Sequence, residues 1–297
     1  MVEIKGIIPP ILTPMGEDEE IRQQELRNQV NRMIEAGVHG IFACGTNGEG
    51  YALSEQEKEM VLETVIEETA GRVPVYGGVG CITTRDTLRL AKRAESMGCD
   101  VLSIITPSFA QASQEELYEH YLCVARGVNL PIVLYNIPAR TGNSLGVDLV
   151  KRLSQVENIV GIKDSSGNFD QMLQYLEATA GSGFKVLSGN DSLILWNLLA
   201  GGAGGIAGCA NVYPENMVRI YECFIKGDIE EAKRAQDAIR SFRDCFRYGN
   251  PNTVVKTAVA LLGYPVGNCR RPFHQLSKEA LQALGQVLAE NKAKKMA

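Results

Sequence analysis

The feature that most constrains the fold of this chain is a repeated alternation of short apolar runs, bounded by turn formers, with longer amphipathic stretches. Short apolar runs between glycine, proline, asparagine or serine clusters read as buried strands, and apolar residues recurring at three- and four-residue intervals read as helices. Ile7 to Leu12 precedes a helical pattern from Ile21 to Ala36, and Gly40 to Ala43 precedes Ser54 to Thr69. Val73 to Val79 leads into Thr84 to Met97, Val101 to Ile105 into Gln114 to Gly127, and Ile132 to Tyr135 into Val147 to Leu153. Ile159 to Lys163 is followed by Asp170 to Ala180, Phe184 to Ser188 by Ser192 to Leu199, and Gly204 to Gly208 by Pro214 to Ile225. These are eight strand-then-helix units.

Such units force parallel strands joined by right-handed crossovers. Eight of them, at about 28 residues each, fit a closed (β/α)8 TIM barrel, an α/β fold. A doubly wound open sheet would more often carry GxGxxG after its first strand, whereas here the first strand runs into Pro9, Pro10 and Pro14. Beyond Gly227 only helical periodicity remains, over Asp228 to Phe246, Thr253 to Leu262 and Ser277 to Lys292. The expected organisation is a barrel over residues 1–226 and a C-terminal three-helix extension over 227–297, packed on the barrel. Ser277 with Ala280 three residues on is half a capping box.

Composition narrows the function. Aromatics are 6% of the residues, so the core is mostly aliphatic, as a parallel sheet wrapped by helices prefers. A net charge of −5 gives no electrostatic footprint for nucleic acid or an anionic membrane. The basic cluster Lys292 to Lys295 reads as a solvated tail. No run of 18 apolar residues exists and the N-terminus lacks a signal-peptide pattern, so a cytoplasmic location is expected. Eight cysteines show no CxxC pair and no histidine at zinc-finger spacing; reduced, mostly buried thiols and no metal are expected.

In a barrel of this kind chemistry sits at the C-terminal strand ends. In IVGIKDSSGN, from Ile159 to Asn168, an apolar run delivers Lys163 into a polar turn. Burial of an amine favours its neutral form, and a neutral lysine is a nucleophile toward carbonyl carbon. A strand-end lysine ordinarily snorkels to water instead, so its neighbours decide. Tyr135 ends the adjacent fifth strand, placing a phenol where it could pass the proton that carbinolamine dehydration requires. The turn GTNGEG, Gly45 to Gly50, offers backbone amides and the Thr46 hydroxyl to an anionic group, its glycines allowing close approach. No GK[ST] follows, so it is not a phosphate loop. Arg140, in YNIPARTG, suits bidentate binding of a carboxylate. A core tyrosine and a surface arginine are the competing readings of Tyr135 and Arg140.

GTNGEG, YNIPARTG and GIKDSSGN, in this order on successive strand ends, resemble the dihydrodipicolinate synthase and N-acetylneuraminate lyase family, from the opening GIIPPILTP through SGND and GGIAGCAN. The resemblance implies a Schiff-base aldolase or lyase acting on pyruvate or another 2-oxo acid, without metal or organic cofactor, usually a homotetramer built as a dimer of dimers. It carries the imine-forming role to Lys163, the proton donor and acceptor to Tyr135, and pyruvate carboxylate binding to Thr46 and Asn47, where many members have a second Thr or Ser. Ile206 matches a position whose carbonyl lines the same site.

Departures bear on the second substrate. Phe109 stands where synthases commonly carry a tyrosine donated across the dimer interface into the proton relay, and phenylalanine cannot pass a proton. Arg140 nevertheless matches the arginine that holds the synthases' second substrate, and counts against a sialic acid lyase. Glu55, Lys58 and Ile82 replace residues that bind feedback lysine, so lysine inhibition is not expected. Asp191 and Ser192 are candidates to meet the hydroxyls of a sugar acid, with a helix N-cap as the competing role for one of them. The nearest named activity is 4-hydroxy-tetrahydrodipicolinate synthase, joining pyruvate to aspartate semialdehyde. The alternatives are a 2-oxo-3-deoxy sugar-acid aldolase or dehydratase, favoured by Phe109, and a non-catalytic 2-oxo acid sensor, disfavoured by Lys163 together with Tyr135.

Overall fold

The structure is a computed structural model that describes residues 2–293. Its strands are β1 (Gly6–Ile8), β2 (Ile41–Ala43), β3 (Val75–Gly78), β4 (Val101–Ile105), β5 (Ile132–Asn136), β6 (Ile159–Asp164), β7 (Lys185–Ser188) and β8 (Gly204–Ile206). They pair in the order β1-β8-β7-β6-β5-β4-β3-β2, and every pair is parallel. The ring closes between β1 and β2, where the Ile11 N–H donates to the Phe42 carbonyl and the Phe42 N–H to the Pro9 carbonyl, each at 2.9 Å. This is the TIM barrel the alternation predicts.

β1 is shorter than the apolar run Ile7 to Leu12. Pro9 and Pro10 have no N–H to give a ladder, so regular pairing stops at Ile8. Elsewhere local chemistry sets the boundaries: Ser54 caps the helix Glu55–Thr69 in a capping box with Glu57. Side chains alternate across the wall. Ile8, Phe42, Tyr76, Val133, Leu187 and Ile206 meet inside the barrel, while Ile104, Leu134, Ile162 and Val186 lie under the helices outside.

After β8 the helix Pro214–Ile225 leads into the extension. The pattern read as one helix from Asp228 to Phe246 is broken, giving Ile229–Ala238 and Arg240–Asp244. With Pro251–Leu261 and Lys278–Ala293 the described residues of the extension hold four α-helices rather than three. No proline or glycine marks the break, which falls just ahead of Arg243, where its guanidinium reaches Asp191 after β7. Ser277 completes its half capping box by accepting from the Ala280 N–H at 3.1 Å. Phe242, Val255 and Leu284 of the extension share one apolar cluster with Leu195 and Ile220 of the barrel helices. The basic tail read at Lys292 to Lys295 runs outside the described residues. Among the described residues, no helix is long and apolar enough to cross a membrane.

Candidate active site

Strand register assembles the centre of the site. β5 and β6 pair Tyr135 with Lys163, and register partners on neighbouring strands share a face. Lys163 is 3% exposed. Its Nζ lies 3.8 Å from the centroid of the Tyr135 ring and 5.2 Å from that of Phe42. Gly189, in SGND, makes room for it: a Cβ there would lie 2.9 Å from Lys163 Cε.

A second buried lysine supplies a control within the same molecule. Lys256 is 1% exposed, and its Nζ meets Glu49 Oε1 at 2.7 Å and the Thr13 carbonyl at 2.8 Å. Among the described residues Lys163 has no carboxylate partner within ion-pair distance, only aromatic faces. A buried ammonium without a counter-charge costs several kcal/mol, about what a structural pair exists to avoid. Lys163 therefore lacks the ion pair that accounts for the burial of Lys256.

Thr46 Oγ1 and Tyr135 Oη are 2.9 Å apart, so the hydroxyl of the GTNGEG turn and the strand-end phenol form one hydrogen-bonded pair. Among the described residues the backbone N–H groups of Thr46 and Asn47 have no acceptor. Gly45 and Gly50 line the cavity, and the glycines also serve the folding of the turn. A Cβ on Gly50 would lie 2.1 Å from the Cys44 carbonyl, and one on Gly48 2.7 Å from the Ile11 carbonyl. They let the turn fold onto the barrel mouth.

A cavity of about 510 Å³ opens beside this pair, walled by Phe42, Thr46, Tyr51, Lys58, Tyr135 and Arg140 among others. Lys163 stands immediately behind the wall, against the Tyr135 ring. Arg140 sits exposed on the short helix Pro138–Thr141, its charge free for an anion, since no ion pair of the described residues includes it. Ile82 and Lys58 border the same cavity, whereas Glu55 is turned to Arg89, at 2.8 Å. Burial pushes the Cys44 thiol up to about 12 and raises that of Cys81. Both therefore stay protonated at neutral pH and neither competes with Lys163 as nucleophile.

Four candidates lie away from the cavity wall. Asn47 turns its side chain to Asn252, Nδ2 to Oδ1 at 3.4 Å. Ile206 packs in the barrel interior beneath the site. Asp191, read as a contact for a sugar acid, is corrected: its carboxylate is 3.1 Å from Arg243 Nη1 and also accepts from the Cys209 N–H at 3.4 Å. It ties β7 to the extension, and the N-cap there is Asn190, which accepts from the Ser192 N–H. Phe109 is 99% exposed with φ of 78° and contributes nothing to the wall of this chain's own cavity. Its loop is held by Asn143, whose Nδ2 donates to the Pro107 and Ala110 carbonyls at 2.8 Å each. The sequence reading missed Phe42, Tyr51 and Asn252. Asn252 had one legible companion, Lys256, the lone charge in the apolar helix TVVKTAVALL.

The family model described as the dihydrodipicolinate synthetase family matches residues 3–291. The 4-hydroxy-tetrahydrodipicolinate synthase of Methanopyrus kandleri is 38% identical over 289 residues, 96% of each chain. Among solved structures, the chloride-inhibited dihydrodipicolinate synthase of Acinetobacter baumannii complexed with pyruvate superposes with a TM-score of 0.94 at 32% identity, over 98% of this chain and 99% of that one. A prophage protein of the dihydrodipicolinic acid synthase family from E. coli K12, in complex with pyruvate, superposes at 0.93 with 30% identity, over 97% and 98%. With its motifs gathered at one barrel mouth and the match running through both barrel and extension, the chain belongs to the dihydrodipicolinate synthetase family.

Proposed function

We propose that the protein is a class I lyase that condenses pyruvate with aspartate semialdehyde, a 4-hydroxy-tetrahydrodipicolinate synthase. The observation that carries this reading is the buried Lys163 amine, without a carboxylate partner, against a tyrosine hydrogen-bonded to Thr46. Pyruvate complexes of two relatives support the first substrate.

In this mechanism Lys163 Nζ adds to the ketone carbon of pyruvate, and Tyr135 delivers the proton with which the carbinolamine oxygen leaves as water. The protonated imine then accepts the electron pair released when Tyr135, having given up its own proton, takes one from the methyl group, giving an enamine. The enamine carbon attacks the aldehyde of the second substrate, whose oxygen takes a proton from Tyr135; the amino group of that substrate then adds to the new imine carbon and displaces Lys163 Nζ, closing the ring and freeing the lysine amine. Thr46 holds Tyr135 and, with the unpaired N–H groups of its turn, the pyruvate carboxylate; Arg140 receives the carboxylate of the second substrate.

Phe109 favours a second reading, an aldolase or dehydratase for 2-oxo-3-deoxy sugar acids, because its ring cannot continue a proton relay. Turnover of pyruvate with aspartate semialdehyde, measured beside a panel of 2-oxo-3-deoxy acids, separates the two. Turnover of only the latter removes the synthase reading. The assembly we propose is a homotetramer, a dimer of dimers. A fully exposed phenylalanine held in the left-handed region supports it, since such strain ordinarily serves a contact. Light scattering that gives a monomer mass overturns it.

A further inference from the structure

We propose that Asn252, on the extension helix Pro251–Leu261, is a positioning residue for the pyruvate carboxylate, acting by fixing the Thr46–Asn47 peptide. The proposal rests on the pyruvate reading above. Asn252 is 3% exposed, and its Nδ2 donates to the Thr46 carbonyl at 2.7 Å across 206 positions of sequence. A trans peptide is planar, so its C=O and N–H point in opposite directions. Holding the Thr46 carbonyl toward the extension therefore holds the Asn47 N–H away from it. That N–H is one of the donors without an acceptor among the described residues. The same backbone carries Thr46 Oγ1, the partner of Tyr135. Together with the Glu49 N–H, which also donates to the Thr46 carbonyl at 3.1 Å, the Asn252 amide thus sets the direction of an anion-binding donor.

The Asn252 amide is itself held. Its Oδ1 accepts from Asn47 Nδ2 at 3.4 Å and its Nδ2 also reaches Tyr51 Oη at 3.3 Å. One helical turn further, Lys256 faces the same way, as residues four apart do. Its pair with Glu49 fixes the far end of the turn, where Glu49 is fully buried with φ of 56°. The second carboxylate oxygen of Glu49 accepts from the Arg270 N–H at 2.8 Å. A left-handed glutamate persists only where its surroundings over-determine it, and a buried ion pair contributes geometry more readily than stability. The extension is therefore a brace on the catalytic turn.

Asn252→Asp keeps the shape and removes the donor; Asn252→Ala removes both. The readouts are the pyruvate concentration that gives half-maximal borohydride trapping on Lys163, the KM for each substrate, and Tm. Loss of one aligned donor to a carboxylate predicts a rise of about tenfold or more in the half-trapping concentration and in the pyruvate KM. The KM for aspartate semialdehyde should stay within about twofold, and the loss in kcat/KM should be carried by the pyruvate KM. If the Asp variant does not fold, the Ala variant decides. A lowered Tm with unchanged half-trapping concentration makes Asn252 merely structural and overturns the proposal. Failure of the unsubstituted protein to trap pyruvate at all is a different result, which overturns the pyruvate reading and this proposal with it.

Discussion

Exchanging each buried lysine for methionine should move stability in opposite directions. Lys163 is 3% exposed and Lys256 1%, so burial alone does not distinguish them. Lys256 has Glu49 at 2.7 Å; removing its amine leaves Glu49, itself 0% exposed, as an uncompensated buried charge. The expected loss is about 3–5 kcal/mol. Lys163 faces the rings of Tyr135 and Phe42 at 3.8 and 5.2 Å. That contact returns at most about 1–2 kcal/mol, less than it costs to bury an amine with no counter-charge. Lys163→Met should therefore stabilise the fold, by about 1–3 kcal/mol, as replacement of buried charge by an apolar chain of similar volume often does. At about 2–3 °C per kcal/mol for a domain of this size, Tm should rise by about 2–9 °C. Urea unfolding at neutral pH without ligand measures both variants, and activity should vanish in Lys163→Met. A Lys163→Met midpoint below that of the unsubstituted protein would refute the view that this lysine is kept for chemistry at a cost in stability.

Thr46→Val preserves shape and removes the 2.9 Å partner of Tyr135; kcat should fall by about 100-fold, in the range of general acid–base steps, as steady-state kinetics will show. Arg270 holds the Glu57 carboxylate at about 2 instead of 4.5, with Ser54 assisting. A depressed carboxylate stabilises fully above its unfolded value and loses that contribution as pH falls through its folded one, so stability should drop between about pH 4.5 and 2. Glu57→Gln should flatten that part of the profile in acid-unfolding curves. Phe109→Gly removes a side chain from a residue with φ of 78° and should stabilise the isolated chain by about 1 kcal/mol in denaturant titration, while weakening any oligomer that uses the ring.

What the sequence carried is local and periodic. Apolar runs placed all eight strands within a few residues, and the strand-end rule brought Lys163, Tyr135 and Thr46 to one barrel mouth. Two of the misses share a cause, partners far apart along the chain. Asp191 looks available until Arg243, 52 positions on, takes its carboxylate. Glu49 reads as a polar turn residue until Lys256 arrives from 207 positions away. The break at Ile239 has no glycine or proline to announce it, and the arrest of β1 follows from two prolines that were in view. Arg140 was singled out for its bidentate fork and its motif, against a surface-arginine reading, and it stands exposed in the cavity wall, whereas Phe109 could be placed only by loop geometry.

The central claim is that Lys163, and not the other buried lysine, forms the covalent adduct. Incubation with pyruvate, reduction with borohydride and peptide mapping by mass measure this directly. The account predicts one reduced pyruvate adduct, on the peptide containing Lys163, with Lys256 unmodified and no adduct in Lys163→Met. An adduct on any other lysine, or none at all with folded protein, contradicts it.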